Sequence, residues 1–234
     1  MFKKLIINLA SGYSFKVVQI FCSLITVPIL VNDHGLGLSG YGHLAATLSI
    51  GAILSTILDG FRLVASKSIG SNKETIFEET IKYAKLFIIL TIPLSLGVSL
   101  IADSLLSLAG LGDYPTILIY QVAIFFILQQ LLYVLEQYYH SQFKTFKVNL
   151  YNCAASFSRL ILIIVIFKYR NGSLIDYFTI FNLSFFGLLL SYFFNIYHDN
   201  RSKLPIKVTF SNLLSFIRES TPLTFKGGAT FIVF

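Results

Sequence analysis

The chain has 234 residues, 55% of them hydrophobic and only 12% charged, with a mean hydropathy of +0.75; a soluble domain carries about twice that charged fraction. Apolar runs of about 20 residues recur along its whole length, each long enough to cross a bilayer core of about 30 Å, which excludes a water-soluble fold. The net charge of +7 comes from basic residues scattered between these runs without a clustered face, which excludes nucleic acid as a partner.

The start, with Lys3 and Lys4, has the look of a signal peptide, but Lys16 interrupts the apolar region and no small-residue cleavage site follows. A first span over Asn8–Val31 is predicted instead. Asn8, Gly12, Lys16, Gln19, Ser23 and Thr26 fall on one side of it, as a polar stripe. Residues 35–40 then spell G-x-G-x-x-G, a dinucleotide pattern that needs a preceding strand. Here a membrane helix precedes it, so it reads as a flexible external turn.

The second predicted span, His43–Ala65, repeats the polar arrangement with Thr47, Gly51, Ser55, Asp59, Arg62 and Ser66, and Asp59 can pair with Arg62 at i,i+3. Ser71-Asn72-Lys73-Glu74 spells a capping box that would start the third helix. Its span, Ala84–Ala109, contains Pro93, which removes a backbone hydrogen bond and predicts a kink. The fourth span, Pro115–Glu136, carries Gln121, Gln129 and Glu136, with His140 one turn on. Asn152, Ser156 and Arg159 mark the fifth, Leu150–Phe167; Asp176, Ser184, Gly187, Ser191 and Asn195 mark the sixth, Leu174–Tyr197. Between them Asn171-Gly172-Ser173 matches a glycosylation sequon, read as an accident of a short loop.

After Tyr197 come a polar stretch, an amphipathic segment over Ser211–Ser220, and an apolar run opened by Pro222. That run has 13 residues, about 20 Å as helix, short of the bilayer core. The expected architecture is an all-α polytopic membrane protein with six complete transmembrane helices and a truncated seventh, one lobe of a two-lobe exporter. Its parts are a six-helix lobe over 1–197, a cytoplasmic connector over 198–221 and the start of a seventh helix over 222–234. A chain of this form reads as a fragment.

Loop charges set an orientation. Lys3, Lys4, Lys67, Lys73, Lys82, Lys85, Lys144, Lys147, Arg201, Lys203, Lys207 and Arg218 fall on one side, and only Lys168 and Arg170 on the other. By the positive-inside rule the N-terminus is cytoplasmic, in a bacterial inner membrane.

Cys22 and Cys153 lie inside apolar runs, and His34, His43, His140 and His198 are dispersed, so neither a disulfide framework nor a metal site is expected. No cofactor motif, P-loop or nucleophile–base pattern occurs, so the chain does not read as an enzyme; the best catalytic candidates it offers are the carboxylates Asp59, Asp103 and Glu136. A charge at the bilayer centre costs about 2.5–3.5 kcal/mol and faces a bundle interior or water. Ser, Thr and Gly on the stripes serve helix packing. Lys16 and Arg159, with no acid one turn away, point to a water-filled cavity, whereas Arg62 is equally explained as a structural ion pair with Asp59.

Val27-Pro28-Ile29-Leu30 followed by Gly40-Tyr41-Gly42, and Leu58-Asp59-Gly60-Phe61-Arg62 running on to Ser66-Lys67-Ser68-Ile69, occur in an order and helix spacing that resembles the polysaccharide-synthesis branch of the multidrug, oligosaccharidyl-lipid and polysaccharide exporter superfamily. That branch includes O-antigen and teichoic-acid-type flippases. The resemblance implies movement of an undecaprenyl-diphosphate-linked oligosaccharide across the membrane by alternating access of a cationic cavity between two six-helix lobes. It implies the lipid-linked oligosaccharide, the bilayer and other glycan-assembly membrane proteins as partners. A diphosphate needs positive charge in a poorly screened place, which selects Lys16, Arg62, Arg159 and Lys226 as the cationic cavity, with Asp59 and Glu136 as ion-coupling or ion-pair groups. The chain departs from the pattern in holding one lobe and a stub. Two alternatives stay open: an ion-coupled drug antiporter of the same superfamily, with acidic cavity residues, and a membrane-embedded glycan polymerase or ligase, which would carry a larger external loop than this chain shows.

Overall fold

The computed structural model describes residues 2–32, 35–71, 74–108, 116–200 and 208–232. They form α1 (Phe2–Val31), α2 (Gly37–Ile57), α3 (Asp59–Ser71), α4 (Ile76–Leu108), α5 (Thr116–Ser141), α6 (Thr145–Tyr169), α7 (Leu174–Asp199) and α8 (Phe210–Ile232), with no strand among the described residues. Among the described residues, five stretches are long and apolar enough to cross a membrane: Gly12–Val31, Ile76–Gly97, Ile117–Ser141, Thr145–Tyr169 and Leu174–Asp199. Large apolar side chains such as Leu24, Phe157 and Leu183 are more than half exposed on them, as a lipid-facing surface requires. The chain is therefore an all-helical, multi-pass membrane protein.

The second predicted span is not one helix. It divides at Leu58, whose N–H bonds back to the Ser55 carbonyl at 3.0 Å and tightens the last turn of α2. Asp59 opens α3, where an acidic residue complements the helix dipole. Gly60 follows where α8 packs tightly against α3: a β-carbon there would run into the Ser220 carbonyl and the Thr224 backbone. The Thr224 hydroxyl donates to the Ile57 carbonyl at 3.2 Å, giving that group a partner at the break. Below the break α3 buries Phe61, Val64, Ala65 and Ile69.

Side-chain pairs fix the helix directions. Gly12 meets the Asn149 amide at one end of the α1–α6 pair and Leu30 joins Ile163 at the other, so these helices are parallel. Gln121 with Asn182 and Tyr138 with Asn200 make α5 and α7 parallel; Arg62 with Gln130 and Ser66 with Tyr133 do the same for α3 and α5. Asn152 reaches Glu136 across the antiparallel α5–α6 hairpin, whose turn places Phe143 in the left-handed region at φ 57°. Two buried clusters occupy the ends of the bundle. The larger joins α3 to α8, with Phe216 ringed by Phe61, Tyr83 and Phe87. The smaller ties Leu30 and Leu44 to Ile163, Phe167 and Phe178.

Several local expectations change. Ser71 does not cap the third helix: its hydroxyl donates to the Ser68 carbonyl at 2.8 Å, closing α3, and α4 begins at Ile76. A capping box is instead made by Ser173 with Asp176, at the start of α7. Asp176 thus satisfies its own helix end rather than a polar stripe. Pro93 lies within α4 without ending it, and Pro222 lies within α8, so the amphipathic segment and the apolar run after it are one helix. Lys3, Lys4, Asn8, His34, Lys73, Asp103, Arg201, Lys203, Lys207 and Lys226 lie outside the described side chains.

Candidate ligand cavity

The parallel α1–α6 pair brings two polar stripes against each other. Along α1 the small and polar residues recur every three or four positions, so they stay on one side, and on α6 Asn152, Ser156 and Arg159 do the same. Where the stripes meet α2 and α7 they leave a cavity of about 390 Å³. Gln19, Cys22, Ser23 and Thr26 of α1, Tyr41, Leu44 and Leu48 of α2, Ser156 and Arg159 of α6, and Tyr177 and Phe181 of α7 line it. Ser23, Val27 and Ala45 of the lining are exposed, which puts the mouth between α1 and α2.

Arg159 is the charge in this lining. Its Nε donates to the Ala155 carbonyl at 3.3 Å and its Nη2 to the Ser156 hydroxyl at 2.9 Å, while its carbon Cζ sits 4.7 Å from the Phe181 ring centre and 5.4 Å from that of Phe185. Phe181 is in turn stacked on Tyr177 at 4.5 Å. Among the described residues no carboxylate pairs with Arg159. A guanidinium has five N–H donors, so this one keeps donors over.

Arg62 is placed differently. Its Nη1 bridges to Asp59 at 2.9 Å, its Nε donates to the fully buried Gln130 at 2.9 Å, and it lies 5.1 Å over the Tyr133 ring. Gln130 also reaches Ser55, and Tyr133 bonds Ser66. This is a closed polar knot between α2, α3 and α5, apart from the Arg159 cavity. Lys16 stands exposed on α1, one turn before Gln19, with no hydrogen bond or ion pair to a described residue. Neither Lys16 nor Arg62 is among the described residues that line the Arg159 cavity.

Glu136 accepts from the Asn152 amide at 2.7 Å and has no cation partner among the described residues. From there a chain of contacts runs up α6: the Ser156 hydroxyl donates to the Asn152 carbonyl at 2.8 Å and accepts from Arg159. Acid and guanidinium thus sit on one hydrogen-bonded line. Asp59 is half exposed and held by Arg62. No cluster of three metal-ligating side chains occurs among the described residues.

Sequence reasoning missed Gln130, Tyr41, Tyr177 and the Phe181–Phe185 pair. Gln130 had a signal, since a buried amide in an apolar span needs a partner. The aromatic residues had none, because a Phe in a span reads as core or lipid contact.

These features define a multi-pass helical membrane protein with one unpaired arginine in an interior cavity. No protein-family model matches the chain, and no curated protein matches it. Among solved structures, it is similar to the outward-facing conformation of a multidrug resistance MATE family transporter of the MOP superfamily. The TM-score is 0.65 at 14% identity, over 98% of this chain and 52% of that one, so the chain spans about half the length of the transporter it matches. The likeness is one of fold.

Proposed function

We propose that this chain forms one lobe of a membrane exporter that moves an anionic, lipid-linked substrate, in the manner of an undecaprenyl-diphosphate-linked oligosaccharide flippase. The observation that carries the reading is Arg159: a guanidinium lining a cavity at membrane depth, with no carboxylate partner. Such a charge is costly within a bilayer, and an anionic head group would offset part of that cost. Lys16, exposed on the same stripe of α1, would extend the positive field toward the mouth. Six spans with a seventh begun, the N-terminus on the cytoplasmic side and action with a second lobe belong to the same proposal.

Glu136 favours a second reading, ion-coupled antiport of a cationic drug, because it is an acid within a span without a counter-charge. The two are separated by thermal unfolding of the purified protein in detergent with undecaprenyl diphosphate or tetraphenylphosphonium. The proposal expects the diphosphate to raise the unfolding midpoint of the parent and not of Arg159→Gln. Stabilisation by the phosphonium alone, lost in Glu136→Gln, would establish the second reading instead.

A further inference from the structure

The geometry points to Phe181, backed by Phe185, as the positioning residue that turns Arg159 into a fixed two-pronged donor selecting oxyanions with two coplanar oxygens; this deepens the proposed function and rests on it. A guanidinium offers a side edge, Nε with Nη2, and an end edge, Nη1 with Nη2. Here the side edge is occupied by the residue's own helix, through the Ala155 carbonyl at 3.3 Å and the Ser156 hydroxyl at 2.9 Å. Its Cζ lies 4.7 Å from the centre of the Phe181 ring and 5.4 Å from that of Phe185, two rings set nearly perpendicular to each other. With one edge bonded to its own helix and two rings packed against it, the group is held in place.

The end edge keeps two parallel N–H groups with no partner among the described residues. A phosphate, diphosphate or carboxylate can meet such an edge with two hydrogen bonds at once. A halide offers a single acceptor atom to both N–H groups, and a compact cation offers none. Tyr177 stacks on Phe181 at 4.5 Å and so holds the positioning ring from behind, while it also lines the cavity. Arg62 lacks this arrangement: its Nε and Nη1 are both taken, so it presents no free end edge.

A lysine at 159 would keep the charge and lose the fork. The test is a double-mutant cycle on the full chain in detergent, measuring binding of undecaprenyl diphosphate and of palmitate, with the ligand-free unfolding midpoint recorded for every variant. Phe181→Leu and Arg159→Lys should each weaken diphosphate binding about tenfold, and the double variant should be no weaker than Arg159→Lys alone. Phe181→Tyr, which keeps the aromatic face, should restore binding. Comparison of the diphosphate with palmitate identifies which oxyanion the fork prefers, and either preference fits the fork. Unchanged binding in Phe181→Leu, additive losses in the double variant, or Arg159→Lys binding as well as the parent would each overturn the positioning role. A parent that binds neither oxyanion overturns the proposed function itself. If Phe181→Leu lowers the ligand-free midpoint, the Phe181→Tyr comparison decides: an equal binding loss there overturns the role, and retained binding supports it.

Discussion

Arg62 and Arg159 begin alike, as guanidiniums inside apolar stretches, and end in opposite situations. Around Arg62 the fold supplies a carboxylate, a buried amide and an aromatic face from α3 and α5, and α8 closes over the same helix at Gly60. Around Arg159 it supplies a backbone carbonyl, a serine and two phenylalanine rings, then leaves open space bounded by α1 and α2. Charge within a span is therefore not by itself a mark of ligand binding. What separates the two is the local supply of acceptors: a cation with its own anion is structural, and one given only neutral groups retains attraction for a ligand.

The comparison is broken most directly by deleting both charges. Arg62→Met leaves Gln130 buried without its donor and removes the Asp59 pair, so it should lower unfolding stability by about 3 kcal/mol. Arg159→Met removes a charge whose partners are the carbonyl of its own helix and one hydroxyl. It should leave stability unchanged or raise it. Equal losses in detergent unfolding would place both arginines in the same class.

Packing gives a second contrast, between two glycines. At Gly60 a β-carbon meets α8 backbone, which cannot swing away, so Gly60→Ala should cost about 2 kcal/mol. At Gly12 a β-carbon would meet only the end of the Asn149 side chain at 3.5 Å, an ordinary contact. Gly12→Ala should therefore be close to neutral. A neutral Gly60→Ala would mean that α8 is not seated on α3 as described.

These contrasts also show what the sequence could and could not reveal. The α1 stripe and Arg159 were legible because helical period and the cost of a charge in a bilayer act locally. Gln130 was not, because α5 packs on two sides: Gln121 serves α7 and Gln130, nine residues on and on the opposite face, serves α3. A reading that gives each helix one polar face passes over the second. The break at Leu58 was hidden for a different reason, since hydropathy runs on through it and the groups that meet it come from α8, more than 160 residues later. Ser71 had the right pattern and the nearer acceptor, the Ser68 carbonyl, took its hydroxyl. Ser173 was overlooked as part of a sequon, although Ser-x-x-Asp before an apolar run is the same capping pattern.

The smallest expected effect tests the seam itself. Thr224 shares its hydroxyl between the Ile57 carbonyl across the helix break and the Ser220 carbonyl of its own turn, each at 3.2 Å. Replacing it with the isosteric Val keeps the branched shape and removes only that hydrogen bond, so Thr224→Val should lower stability by about 1 kcal/mol, and Thr224→Ser should recover it. Because no described residue of α8 lines the cavity, affinity for undecaprenyl diphosphate should stay at the parent value in both variants. Should Thr224→Val weaken binding while Thr224→Ser restores it, the break at Leu58 would be linked to the cavity through α2, whose Tyr41, Leu44 and Leu48 form one of its walls. The closed seam and the open site would then be two ends of one moving element.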